Sequence, residues 1–276
     1  KGFIAVAATD YEGSTKFLNE FNACGQAKDW CVTAPAYQYV YENDYKLGYT
    51  SGTSNATAYA TGVAALVKEK YGWMTNENLK DVILGTATDA GAAGIDNVYG
   101  WGVINKSKAI KGYGQFSWGQ TALNVTDGNA YFDNNIFGTG GFNKTGTGQL
   151  VLNGDNTYTG ASNVNAGSVV VNGTNKSSFN VASGAKLVVG DNTKISTGNV
   201  VNNGTLVSET ATDLDINGNY TQSKGGKLQK YVGSKLNVSG VANLNGALEL
   251  TGVVDGYVTA TNQNSDVILT AKGGVV

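Results

Sequence analysis

Gly148-Gln149-Leu150 opens a pattern that returns at Gly167-Ser168-Val169, Gly184-Ala185-Lys186-Leu187, Gly204-Thr205-Leu206, Gly226-Lys227-Leu228 and Gly246-Ala247-Leu248. Each time a glycine is followed within three residues by leucine or valine. The interval is roughly 17 to 22 residues, about one coil of a β-solenoid. Such a coil places alternating Leu and Val inside and Thr, Asn and Lys outside, because successive side chains of a strand face opposite ways. Asn-Gly steps recur as well, at Asn153-Gly154, Asn172-Gly173, Asn203-Gly204, Asn217-Gly218 and Asn245-Gly246. These steps also suit tight hairpin turns, whose two central residues need positive φ. The pattern therefore specifies an all-β half, built either as stacked coils or as a meander of hairpins. It holds no clustered carboxylates, no metal-ligand spacing and no phosphate loop, so it reads as a structural stem.

Upstream of this half the texture differs. Phe3 to Ala8 is a short, almost wholly apolar run, as expected of a buried strand. From Ser54 to Lys70, Ala56, Tyr59, Ala60, Val63 and Leu66 or Val67 recur at helical spacing. Lys68, Lys70 and Gly72 suit the end of that helix. Thr75 is a good N-cap for a second helix through Leu79, Val82 and Ile83, and a short third one is expected over Asn105 to Ile110. Residues 113–140 are rich in Gly, Asn and aromatics without a sustained period. They read as a connector that begins the second domain, between a mixed α/β region, 1–112, and the repeating region, 141–276. Tyr113, Phe116 and Trp118 are expected to cover the base of the repeat. A chain that opens on Lys1-Gly2 and passes at once into an apolar strand reads as the interior of a domain, so a fragment is expected.

Composition narrows the function. With 276 residues there is room for two cores. A net charge of −2 gives no electrostatic case for nucleic acid or an anionic membrane. Charged residues make up 14%, and 39 glycines stand against one proline, which favours short strands and turns over helical bundles. No apolar run is long enough to span a bilayer. Cys24 and Cys31 have the wrong spacing for paired zinc ligands, and no histidine exists to complete a site. They read as a disulfide closing a short loop, or as two buried thiols. Asp89, Asp96 and Asp133 lie in Gly- or Asn-rich loops of a kind that can hold a Ca²⁺ ion, but Asp and Asn are ordinary turn residues, and that is the reading preferred here. No metal and no cofactor is expected.

Ser51-Gly52-Thr53-Ser54 sets a serine at a loop-to-helix junction. A hydroxyl is a weak nucleophile until a neighbouring base takes its proton. With no histidine in the chain, Ser54 either caps the helix or belongs to a catalytic site whose base lies outside this sequence.

Gly52-Thr53-Ser54 followed by Asn55 to Leu66 resembles the nucleophile segment of subtilisin-like serine proteases, with Gly62 eight residues after the serine where that family has a close-packing glycine. Ile4 to Asp10 resembles the strand before the family's Phe-Ser-Asn segment. Thr33-Ala34-Pro35-Ala36 resembles its Ala-Pro-Gly turn, and Tyr99 to Asn105 its closing segment. The Cys24–Cys31 loop is similar to a feature of subtilases carried by bacterial autotransporters. Gly146 to Leu152, Asn153 to Gly160 and Val164 to Val171 together resemble the autotransporter-associated β-strand repeat, which favours coils over hairpins.

The resemblance implies an α/β subtilisin-like partial domain followed by an all-β right-handed β-solenoid stem. It implies a serine endopeptidase acting on polypeptide substrates, at the bacterial surface or secreted, exported through a C-terminal outer-membrane barrel. Ser54 would be the nucleophile, with Gly52 and Thr53 positioning it. The triad Asp and His and the oxyanion Asn would come from the upstream part of the same protein, leaving this chain alone inactive. Two departures stand out. Ala58 replaces the usual proline in the first helical turn, and Ala36 replaces the turn glycine. The competing reading is a non-enzymatic adhesin or stalk with a degenerate subtilase-like portion.

Overall fold

The computed structural model describes residues 2–41, 46–190, 198–208, 212–252 and 267–276. The chain divides into two compact units, 1–115 and 116–276.

In the first unit, β1 (Ala5–Thr9) lies parallel to β2 (Cys31–Pro35), with Ala8 opposite Ala34 and Thr9 opposite Pro35. Thr33 extends this sheet: its N–H donates to the Gly102 carbonyl at 2.9 Å and its carbonyl accepts from the Ile104 N–H at 2.8 Å. The helix α1 (Thr53–Lys70) packs on β1 and β2 through Ala56, Ala60, Val63 and Val67. Alanines at 8, 34, 56 and 60 keep side chains short where helix meets sheet, so the backbones come close. The helix α2 (Asn76–Gly85) starts at the expected Thr75, whose hydroxyl accepts from the Asn78 N–H while Asn78 returns a bond to the Thr75 N–H. This is a capping box with Asn in the usual Glu position. The helix α3 (Lys106–Ala109) is capped by Asn105. An antiparallel hairpin, β3 (Gln38–Tyr41) and β4 (Leu47–Thr50), lies between the Ala34-Pro35-Ala36 turn and α1.

Cys24 and Cys31 form the expected disulfide. Tyr113, assigned above to the base of the repeat, instead belongs to the first unit. It is buried and accepts a hydrogen bond from Asn78 Nδ2 at 2.9 Å.

The second unit is a parallel solenoid. One seven-stranded sheet stacks β5 (Gln120–Asn124), β7 (Gly141–Thr145), β9 (Ser162–Val164), β11 (Phe179–Val181), β13 (Val200–Asn202), β16 (Tyr220–Gln222) and β19 (Ala242–Asn243). The other stacks β6 (Asn129–Phe132), β8 (Gln149–Leu152), β10 (Ser168–Val171), β12 (Lys186–Val189), β14 (Thr205–Ser208), β17 (Lys227–Tyr231) and β20 (Ala247–Thr251). A third, β15 (Leu214–Ile216), β18 (Leu236–Val238) and β21 (Leu269–Ala271), has three strands. Every pairing within these sheets is parallel. The recurring Gly-x-Leu elements coincide with the second sheet, where Leu150, Val169, Leu187, Leu206 and Leu228 form one buried inward column.

Coils, not hairpins, explain the Asn-Gly steps. Gly173 and Gly204 lack positive φ; a Cβ on Gly173 would lie 2.2 Å from the Gly154 carbonyl, and one on Gly204 2.3 Å from the Ala182 carbonyl. Glycine is needed at these corners because the adjacent coil passes too close for a side chain. Residues 113–140, read as a connector, contain β5 and β6, already hydrogen-bonded into the stack. Phe116 packs at this end of the coils, its ring 5.8 Å from Phe142 and 5.1 Å from Tyr158.

The outside-polar rule fails at two lysines. Lys144 is fully buried and occupies an inward column with Leu123, Val164, Val181, Asn202 and Gln222. Its ammonium donates to the carbonyls of Gly146 (2.8 Å), Gly148 (2.5 Å) and Ala166 (2.9 Å), tying one coil to the next. Burial pushes its pKa down to about 8, so at neutral pH it remains the charged donor. Lys230 is equally buried, in register with Ser208 and Leu250, but its ammonium has no acceptor among the described residues. Outside, the coils are joined by amide ladders. Asn180 donates to Asn163 and Asn163 to Asn143, each at 2.7 Å.

Candidate active site

The position of Ser54 follows from the chain around it. Ala36 leaves β2 with its N–H bonded to the Thr9 carbonyl at 2.8 Å. Its own carbonyl accepts from the Gly52 N–H at 3.3 Å and from Asn55 Nδ2 at 3.1 Å. Gln38 Nε2 closes the arrangement by donating to the Pro35 carbonyl (3.1 Å) and the Asn55 carbonyl (2.9 Å). The Ala34-Pro35-Ala36 turn and the start of α1 are thus fastened together. Neither Gln38 nor Asn55 stood out in the sequence; each is a single amide in a polar stretch, with no spacing that marks it.

Gly52 is the N-cap, with φ of +150° and ψ of 162°, a conformation available essentially to glycine alone. From there α1 begins at Thr53, and Ser54 is its second residue. No side chain caps this helix, so the capping role is not what Ser54 does. Ser54 is exposed, and its hydroxyl has no hydrogen-bond partner among the described residues. The N–H groups of Asn55 and Ala56 both go to the Gly52 carbonyl, at 3.1 and 3.2 Å. Those of Thr53 and Ser54, at the first two helical positions, have no intrahelical acceptor. A free hydroxyl and a free N–H on one residue, at the positive end of an 18-residue helix, suit an anionic oxygen nearby.

Ala58 proves to be the sixth residue of α1, in its second turn and not its first. In an α-helix that residue's N–H belongs to the Ser54 carbonyl, a bond alanine keeps and proline forgoes. Gly62 faces open space, with no described atom within 4 Å of where its Cβ would stand. Ala65 and Leu66 on the same helix are also exposed. The outward side of α1 thus runs through Thr57, Ala58, Thr61, Gly62, Ala65 and Leu66 before it ends in Lys68, Glu69 and Lys70.

The other charged cluster lies elsewhere. Glu12 accepts from Tyr59 Oη at 2.6 Å and from Lys106 Nζ at 2.8 Å, which together hold its carboxyl below the usual range. Burial, then the bond to Glu12, pushes the Tyr59 phenol up. They line a recess of about 280 Å³ with Thr88 and Asn105, and neither Ser54, Gly52 nor Thr53 borders it. Asp96 accepts from the N–H groups of Ala92, Val98 and Tyr99, and Asp89 from that of Gly94, so both close turns. No trio of His, Cys, Asp or Glu among the described residues is placed to hold a metal ion.

Comparison with known proteins places this geometry. The subtilase family matches residues 1–102, the stretch that carries the Ala34-Pro35-Ala36 turn, Gly52 and Ser54. That stretch is similar to subtilases. The passenger-associated-transport-repeat matches residues 142–171, the coils that Lys144 ties together. Over 181 residues the chain is 40% identical to the neisserial autotransporter lipoprotein NalP of Neisseria meningitidis, covering 58% of this chain and 16% of that protein. It is 35% identical over 164 residues to serotype-specific antigen 1 of Mannheimia haemolytica, covering 56% and 17%. It is 32% identical over 198 residues to an extracellular serine protease of Serratia marcescens, covering 50% and 19%. The chain thus spans less than a fifth of the length of these relatives.

Proposed function

We propose that this chain is part of a subtilisin-like serine endopeptidase, the passenger of an autotransporter, working at the bacterial surface or secreted. The observation that carries the reading is the Ser54 hydroxyl, exposed and without a partner among the described residues at the start of α1, inside the segment similar to subtilases. Ser54 Oγ attacks the carbonyl carbon of a polypeptide substrate. Its proton passes to a histidine, which an aspartate orients, both supplied by the upstream part of the same protein. The Ser54 N–H donates to the oxyanion beside an asparagine from that same upstream part. Gly52 and Thr53 shape the turn and take no part in the chemistry. Export runs through a C-terminal outer-membrane translocator, as the names of the autotransporter relatives suggest. The solenoid is the stem that carries the protease.

Without its imidazole the serine is a poor nucleophile, so this chain alone is expected to be nearly inert. The test is fluorophosphonate labelling of the full-length parent. Labelling that disappears in Ser54→Ala supports the protease. A folded parent that takes no label would instead leave an adhesin or stalk.

A further inference from the structure

The hairpin that precedes Ser54 carries an unusual exposed surface. Tyr39 is 72% exposed and Tyr49 49% exposed, and Tyr11 of the β1–β2 connection joins them at 56%. Their rings meet through Tyr37, which lies 5.5 Å from Tyr11 and 5.6 Å from Tyr49, stacked on the latter at 4°. Tyr39 and Tyr49 face each other across the two strands, centroids 5.3 Å apart. Tyr11, Tyr39 and Tyr49 are exposed and Tyr37 is half-buried beneath them, so the core does not account for this cluster. Rings that stack on one another at such spacing hold one another in place, so a ligand loses little side-chain freedom on touching them.

Location gives the surface its meaning. Tyr37 directly follows Ala36, whose carbonyl holds Gly52 and Asn55. Tyr49 stands three residues before Gly52. The stacked pair therefore sits where both chains reach the N-terminal end of α1. The two strands pair only with each other among the described residues, leaving an edge for an extended chain. Tyr37 Oη donates to Glu20 at 3.3 Å, so the aromatic patch is bordered by a carboxylate.

We infer that the tyrosine patch of Tyr11, Tyr37, Tyr39 and Tyr49 is a platform that grips an extended polypeptide beside the cleavage point and favours planar side chains, aromatic rings or arginine. Ring faces attract other rings and guanidinium groups, and Glu20 adds charge complementarity for arginine. The inference rests on Ser54 being the nucleophile, because that reading makes a polypeptide the occupant.

The test uses the full-length parent and two kinds of substrate: matched peptides with Phe, Tyr or Arg against Ala near the cleaved bond, and a small activated acetate ester. In the wild type, peptides with planar residues should be cleaved with kcat/KM several-fold above the Ala peptide. The double variant Tyr39→Ala/Tyr49→Ala should lose about tenfold on the planar peptides, chiefly in KM, with ester hydrolysis within about twofold of wild type. Tyr39→Phe/Tyr49→Phe, which keeps the rings, should behave as wild type. Equal losses on ester and peptides would mean that the tyrosines merely hold α1 in place, and would overturn the platform. So would an absence of preference in the wild type, or Phe variants as impaired as Ala variants. If the parent cleaves nothing, the protease reading fails separately. Binding of the same labelled peptides, read by fluorescence polarisation, then decides the platform: planar-selective binding lost in the Ala variant supports it, and no binding overturns it.

Discussion

Lys144→Met asks whether the buried ammonium ties the coils together or is merely tolerated. The exchange keeps side-chain length and removes three donated hydrogen bonds, to Gly146, Gly148 and Ala166. A buried carbonyl left without a donor costs about 1–3 kcal/mol, and among the described residues only Gly148 of the three has another donor, the Ser168 N–H at 3.4 Å. Against that, withdrawing an ammonium from the interior returns several kcal/mol. At about 2 kcal/mol for each of the three lost bonds and about 3 kcal/mol returned by the ammonium, the balance is a loss of about 3 kcal/mol in the stability of the coils around residue 144. A stack of coils opens locally, not all at once, so amide hydrogen exchange on the full chain is the better assay. Asn165 and Ala166, whose N–H groups bond the Lys144 carbonyl, should lose about 30- to 1,000-fold in protection, by the rule of tenfold per 1.4 kcal/mol. Amides near Tyr220, several coils away, should change little. Unchanged or slower exchange at 165 and 166 in the Met variant would refute the reasoning.

Two further outcomes follow. Gly52→Ala forces a side chain onto backbone at φ of +150°, a strain of about 1–3 kcal/mol; labelling of Ser54 by a fluorophosphonate in the full-length parent should slow about tenfold or more, and an unchanged rate would show that the turn adapts. Lys230, buried without an acceptor among the described residues, has its pKa pushed down to about 8 by burial, with Asp213 pulling the other way. The unfolded chain binds that proton up to about pH 10.4, so more protons are bound unfolded than folded, and stability should rise with pH between those values. Lys230→Met should be more stable at pH 7 and lose this contribution to the slope, checked by urea unfolding at pH 7 and pH 9.5.

Much of this architecture can be read from residue order because a parallel stack repeats its demands. Leu150, Val169, Leu187, Leu206 and Leu228 return at the coil interval since each fills the same inward slot. Thr75 announces α2 because a cap depends on local chemistry alone. Lys144 and Lys230 were invisible for the opposite reason. A lysine in an alternating strand reads as outward; for Lys144 only the nearby turn carbonyls reveal otherwise, and for Lys230 only its register in the stack does. The Asn-Gly steps were ambiguous because positive φ and close approach both demand glycine. Residues 113–140 hid a coil since Leu123, Ala130 and Phe132 are sparse among Gly and Asn. At the candidate site, Ser54 and Gly52 were legible through a contiguous motif. Gln38 and Asn55 were not, since their partners are carbonyls on other segments.

The corner glycines have a consequence for how such a stem can change length. A residue inserted within a strand would swap the inward and outward faces of that rung and set a polar group among the leucines. An insertion at a corner away from those glycines would leave the columns intact, as the uneven spacing of the rungs already attests. Growth and shrinkage are therefore quantised: the stem can gain or shed whole rungs or lengthen its corners, but it has no finer adjustment.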